Sequence, residues 1–178
     1  MTPYFLAAAI VLGAAVVFLT LPWTLPYSWY RAVFYPGGRP NALARRINSG
    51  QARLSALGIL PALMVALETR GRRSGRASVV PLVVARVGTE RYLVSMLGEN
   101  ADWVRNVRAS AGAAVLRHRI TESVRLDDVP VSRRAPILKA YLQQAPGARP
   151  HFDLSRDAPL AEFEKVAARY PVFRIVTE

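Results

Sequence analysis

Residues 62–85, ALMVALETRGRRSGRASVVPLVVA, decide the fold: two apolar runs, Ala62 to Leu67 and Val79 to Ala85, flank Arg70-Gly71-Arg72-Arg73-Ser74-Gly75-Arg76. Strand-like runs on either side of a short glycine-bounded segment predict a hairpin. The turn itself has the chemistry of an anion site. Gly71 and Gly75 let the backbone turn tightly with its N–H groups facing a ligand, and Ser74 adds a hydroxyl. Arg72, Arg73 and Arg76, with Arg70, present guanidinium groups that pair phosphate or carboxylate oxygens in bidentate fashion. The competing reading is a solvated hairpin tip, because charge-rich turns are common.

Outward from the hairpin, short apolar runs separated by turns continue along the chain. Six strands are predicted: Ala62 to Thr69, Ser78 to Arg86, Arg91 to Leu97, Ala113 to Arg119, Ser123 to Val129 and Val172 to Val176. Pro81 inside the second implies a bulge or an edge position, since proline cannot donate to a ladder. Gly98 and Asn100 close the third strand and offer an N-cap to a helix from Ala101 to about Ser110, with Trp103, Val104 and Val107 on one face. Ser132 starts a second helix with an apolar stripe of Ile137, Leu138, Tyr141 and Leu142, which stops at Pro146-Gly147. Ala145 to Pro159 reads as a Pro-interrupted loop holding His151 and Phe152, with Asp157 capping a last short helix that carries Leu160, Phe163 and Val166. The class is mainly β with helices (α+β). Serial antiparallel strands broken by a few helices predict a small closed or split β-barrel over 62–178 rather than an alternating βαβ sheet.

The chain opens differently. Pro3 to Leu25 carries no charge and, as a helix, extends ~34 Å against a hydrocarbon core of ~30 Å. Trp23, Tyr27, Trp29 and Tyr30 cluster where the apolar run ends, and Arg31, Arg39, Arg45 and Arg46 follow. By the positive-inside rule, residues 1–30 form a single-pass anchor in the cell membrane with the C-terminal body in the cytoplasm. A cleaved signal peptide is the alternative, but there is no basic n-region and the apolar stretch is longer than a usual h-region. Within 31–61, residues 40–57 read as a helix, with Leu43, Ile47, Leu54 and Leu57 among Arg45, Arg46 and Arg53. Such a helix lies along a membrane face or caps the domain.

The formal net charge of +12 falls outside the first thirty residues, so the partners of the body are expected to be anionic. Composition alone does not separate nucleic acid, anionic lipid and an anionic cofactor. Without cysteine there is no disulfide framework, thiolate chemistry or Cys-type zinc site, and His118 and His151 alone do not make a metal cluster. The turn is not a Walker loop, as its glycines are four apart with no lysine, and Ser74 lacks a Gly-x-Ser-x-Gly elbow. Glu99 and Asp102 beside a helix start are read as meeting its dipole rather than as a catalytic acid pair. His118, in an Arg-flanked strand, reads as a rim residue.

The order Gly71-Arg72-Arg73-Ser74-Gly75, then Pro81-Leu82, a strand ending at Gly98, and Asp102-Trp103-Val104-Arg105-Asn106-Val107 resembles the deazaflavin-dependent nitroreductase and quinone reductase family. The resemblance runs from about Leu63 to Glu178. It implies a split β-barrel like that of FMN-binding oxidoreductases and a site for coenzyme F₄₂₀, a deazaflavin with a phosphodiester and an acidic tail. Gly71, Arg72, Arg73, Ser74 and Gly75 match the positions that hold the phosphate and tail, with Arg76 beside them. Pro81, Trp103 and Asn106 match positions near the cofactor, the last two with a structural role as the alternative. The chain departs from the nitro-reducing members at the acceptor side. Val83 replaces a tyrosine, Met96 and Leu97 replace a serine and a lysine, and the tyrosine-rich loop is Pro150-His151-Phe152-Asp153.

Two functions follow as expectations. In the first, a membrane-anchored enzyme passes hydride from reduced F₄₂₀, in preference to FMN, to a lipophilic acceptor such as menaquinone held by Val83, Met96, Leu97 and Phe152. His151 or water supplies the proton. In the second, a non-enzymatic basic protein sequesters the deazaflavin or docks on anionic lipid or nucleic acid. The ordered motifs favour the first and make nucleic acid the weaker partner. No metal is required, and a homo-oligomer is compatible with the sequence.

Overall fold

The hairpin of residues 62–85 is one side of a closed antiparallel barrel. The computed structural model describes residues 32–177. Its strands are β1 (Met64–Arg70), β2 (Ala77–Val87), β3 (Glu90–Val94), β4 (Ala113–His118), β5 (Ile120–Asp128) and β6 (Val172–Thr177). They close in the order β1-β2-β3-β6-β5-β4, with Met64 opposite Val83 and Arg70 opposite Ala77 across the first pair. Each of the six predicted strands is present, with shifted ends.

Alternation along the strands feeds two cores. Leu67, Val84, Leu93, Leu116, Val124 and Phe173 face the barrel interior, which the helix Asp102–Ala109 closes. Ala85, Tyr92, Val94 and Val172 point the other way, into a second core under helices. Both faces are therefore buried where β2 carries Val84 and Ala85 and β3 carries Tyr92 to Val94, which accounts for the consecutive apolar residues there. Burying a leucine or phenylalanine such as Leu67, Leu93 or Phe173 contributes about 1.5–3 kcal/mol each.

The described residues place α-helices α1 (Ala42–Ala56), α2 (Asp102–Ala109), α3 (Arg134–Gln144) and α4 (Leu160–Val166) around the barrel. The predicted start of α3 at Ser132 shifts, because Val131–Arg133 form a 3₁₀ turn and Arg134 goes inward. Its guanidinium donates to Val129 O at 2.7 Å and pairs with Asp128 at 2.9 Å, which offsets the cost of its burial. The stretch after α3 is more ordered than a loop: Pro146–His151 form a 3₁₀ helix. Asp157 does not cap α4, whose N-cap is Pro159 with no side-chain cap bond. Asp157 N instead donates to Ser155 Oγ at 3.3 Å, closing a turn of its own.

Helix α1 starts at Asn41, whose Oδ1 accepts from Ala44 N at 2.9 Å, and packs on β1 and β2. Its inward residues are small, Ala44, Ala52 and Ser55, whereas Leu43, Leu54 and Leu57 are exposed. The expected segment Pro3 to Leu25 and the aromatic cluster through Tyr30 lie outside the described residues. Among the described residues, no helix is long and apolar enough to cross a membrane.

Candidate active site

The turn between β1 and β2 is held by its own backbone. Gly71 N donates to Arg76 O and Gly75 N to Gly71 O, both at 2.8 Å, and Arg76 N donates to Ser74 Oγ at 3.3 Å. Two glycines are needed for different reasons. Gly75 has φ +66°, while a Cβ on Gly71 would come 2.8 Å from Ser74 Oγ and 3.0 Å from Arg76 O.

Helix α2 clamps this turn from the side. Asn106 Oδ1 accepts from Arg72 N at 3.2 Å and from the Arg72 guanidinium at 3.0 Å. Its Nδ2 donates to Thr69 Oγ1 at 3.3 Å, and Thr69 Oγ1 donates onward to Ser78 O at 3.4 Å. Asn106 is only 3% exposed, so these bonds satisfy an amide that water does not reach. Asp102, one turn earlier on α2, takes the outer side of Arg72 at 3.0 Å. Arg70, Arg73 and Arg76 make no ion pair among the described residues, and their charge is available to an anion. A cleft of about 380 Å³, lined by Arg70, Gly71, Arg72, Gly75, Ala109 and Ser110, opens beside them. This donor set, made of guanidinium groups and a glycine cradle that a side chain would fill, fits a phosphodiester with an acidic tail.

The remaining predicted residues fall into three places. Pro81 sits on β2 opposite Ala66, beyond the rungs that β3 covers, which begin at Val84. Val84 N donates to Leu63 O, so strand alternation turns the nitrogen of Pro81 to the unpaired side, the edge position expected of it. Trp103 is a core residue, 5.4 Å edge-on to Phe173, and does not line the cleft. Val83 and Met96 pack, half-buried, on the second core, which contains Phe152 stacked on Tyr170 at 4.0 Å. Leu97 packs both on the barrel interior and on a small cluster of Phe34, Tyr35 and Ala44.

His151 is buried at 7% exposure, not displayed on a loop. The ring of Tyr35 meets it edge-on at 5.2 Å, and its carbonyl accepts from Tyr170 Oη at 3.1 Å. Leu97 and His151 are thus linked through the segment that precedes α1. Glu99 is no partner for Asp102: it pairs with Arg108, whose guanidinium holds the carboxyl below its ordinary range. Sequence reading missed the roles of Asp102 and Tyr35. Both depend on tertiary contacts, from Asp102 to Arg72 and from Tyr35 to His151, for which local sequence carries no signal.

No curated protein sequence matched the chain. Among solved structures, an F₄₂₀H₂-dependent reductase (FDR-A) is 20% identical, covering 66% of this chain and 96% of its own, at a TM-score of 0.46. A structure described as a domain-swapped dimer is 19% identical over 85% of this chain and 100% of its own, at 0.47. A protein of unknown function from Agrobacterium tumefaciens is 16% identical over 82% of this chain and 58% of its own, at 0.50, a likeness of fold. Residues 41–157 match the family described as F420H(2)-dependent quinone reductase. With its arginine turn, glycine cradle and clamping helix inside the matched region, the chain belongs to that family and is an F₄₂₀-dependent oxidoreductase.

Proposed function

We propose that this oxidoreductase is anchored in the cell membrane by Pro3 to Leu25, with its body in the cytoplasm, and reduces a quinone-like or other lipophilic acceptor. The observation that carries this reading is the position of Leu97, which joins the barrel interior to the Phe34–Tyr35 cluster just after the uncharged N-terminal segment. An acceptor arriving from a bilayer would meet apolar side chains at the half-buried Val83, Met96 and Leu97, with the buried Phe152 in the core on which Val83 and Met96 pack, rather than the polar groups of nitro-reducing relatives.

The bound deazaflavin supplies the hydride. The chain's own residues do the rest: the turn from Gly71 to Gly75, with Arg72, Arg73 and Arg76, holds the phosphate and acidic tail, and Asn106 and Asp102 keep Arg72 in place. FMN has a phosphate but no acidic tail and would use fewer of these cations. His151, or water, delivers the proton that accompanies hydride to the quinol oxygen.

Stopped-flow oxidation of bound reduced F₄₂₀ by a menaquinone analogue tests the acceptor. Oxidation well above the enzyme-free rate is expected; tight binding without acceleration would leave a sequestering protein. Deleting residues 1–31 should move the chain from the membrane to the soluble fraction. Full-length chain in the soluble fraction, or a C-terminus reached by protease only from outside the cell, would overturn the anchor and its orientation.

A further inference from the structure

Helix α1 is built with the reverse of the usual polarity. An ordinary surface helix turns its leucines to the core and its charges to water. Here Ala52 and Ser55 are buried, Ala44 and the half-buried Ile47 pack on Phe34 and Tyr35, and the outward stripe at spacings of three and four is Leu43, Arg46, Gly50, Arg53 and Leu57. Leu57 is 68% exposed and Ile59, just past the helix, 65%. Arg45, Arg46 and Arg53 surround a surface cleft of about 500 Å³ with Ala42, Ser49 and Gly50. None of the three makes an ion pair among the described residues. No acidic residue precedes Glu68 anywhere in the chain, so nothing in its first 67 positions offsets these cations.

We propose that the outer face of α1 docks on a bilayer surface containing anionic lipid. Arg45, Arg46 and Arg53 pair headgroup phosphates, and Leu43, Leu54, Leu57 and Ile59 enter the interfacial region. Three observations select this occupant: apolar and basic side chains share one exposed face, the whole N-terminal region lacks acid, and the face comes after the uncharged segment Pro3 to Leu25 with only basic charges between them. Soluble phosphate would account for the arginines but leaves the exposed leucines without a role. The surface does not depend on Pro3 to Leu25 crossing the membrane.

The chain has no cysteine, so a single Leu57→Cys substitution in the full-length protein accepts one bimane label. Its quenching by acrylamide, a neutral quencher, is compared on vesicles of pure phosphatidylcholine and of phosphatidylcholine with roughly 30 mol % phosphatidylglycerol. Docking predicts a quenching constant lower by about threefold or more on the anionic vesicles, restored by about 0.5 M salt. In the background R45E, R46E and R53E, protection should be lost while F₄₂₀ binding at the separate turn persists, showing that the variant is folded. Equal quenching on the two vesicle types overturns the proposal. So does protection that survives the charge reversals, or protection without lipid that rises with protein concentration, which would indicate a second copy on this face. Association with pure phosphatidylcholine vesicles reports the N-terminal anchor, and the difference between lipids reports α1, so either reading can fail alone.

Discussion

Asn106 Oδ1 bonds both the backbone N–H and the guanidinium of Arg72, so helix α2 fixes the first arginine of the turn in place before any ligand arrives. This makes Asn106 a positioning residue. Asn106→Ala would leave the Arg72 N–H short of a partner and remove the donor to Thr69, costing about 1–3 kcal/mol in stability. F₄₂₀ affinity should fall with it, while Asn106→Asp, which keeps the acceptor, should retain more of both. Thermal melting and fluorescence titration measure the two effects; unchanged affinity in Asn106→Ala would separate the clamp from cofactor binding.

Arg72 and Arg73 should differ in kind. Arg73 makes no ion pair among the described residues, so Arg73→Ala removes a cation from the cleft's surroundings and little else. Arg72→Ala also dissolves the contacts to Asp102 and Asn106. Each is expected to cost about 1.5–3 kcal/mol in F₄₂₀ binding. Salt should weaken the wild type more than either variant. Equal affinities of wild type and double mutant at low ionic strength would remove the anion site.

His151 is packed against Tyr35, so its role is best tested with His151→Gln, which keeps a polar side chain of similar size but carries no titrating proton. Quinone turnover should drop by up to about 10²-fold if His151 is the general acid, with F₄₂₀ affinity nearly unchanged. An undiminished kcat would assign the proton to water.

Acid should loosen the barrel at a definite place. Arg91 on β3 reaches past Thr177 on β6 to Glu122 on β5, donating to Oε2 at 2.9 Å. The guanidinium hydrogen bonds hold the Glu122 carboxyl below its ordinary 4.5 despite partial burial. A depressed folded value means that the pair stabilises the fold above pH 4.5 and that this contribution is lost as pH falls through the lower folded value. Wild-type stability should therefore decline below pH 4.5 more steeply than that of Glu122→Gln, by about 1 kcal/mol in total. Glu99, held low by Arg108, acts with the same sign and leaves a residual slope. Denaturant midpoints on either side of that range decide it.

The strands were legible because short apolar runs mark them and glycine turns separate β1 from β2 and β2 from β3, although the turn from β4 to β5 is Arg119 alone at φ +61°. The anion turn was legible because its chemistry lies in seven consecutive residues. What escaped is what depends on distant packing. The proline-rich stretch at 146–150 has the composition of a loop, yet Tyr35 and Tyr170 enclose His151 from far along the chain. Asp157 offered a plausible cap, but the backbone turns at Ser155 first. Arg134 gave no sign of burial, since only the carbonyls and carboxylate assembled around it make an inward guanidinium tolerable.

The small residues beneath α1 have a consequence for how sequences of this kind can vary. Most surface helices conserve their leucines and let their alanines drift; here the constraint is exchanged. Enlarging Ala44, Ala52 or Ser55 would wedge the helix from what it packs on, whereas Leu43, Leu54 and Leu57, at 53%, 38% and 68% exposure, contribute less to folding. A library of variants sorted for folded protein should thus keep the first three positions and randomise the second three. Sorted for retention at a lipid surface, the same library should keep the leucines as well. The gap between the two sorted pools would read out, position by position, which part of this helix belongs to the barrel and which to its surroundings.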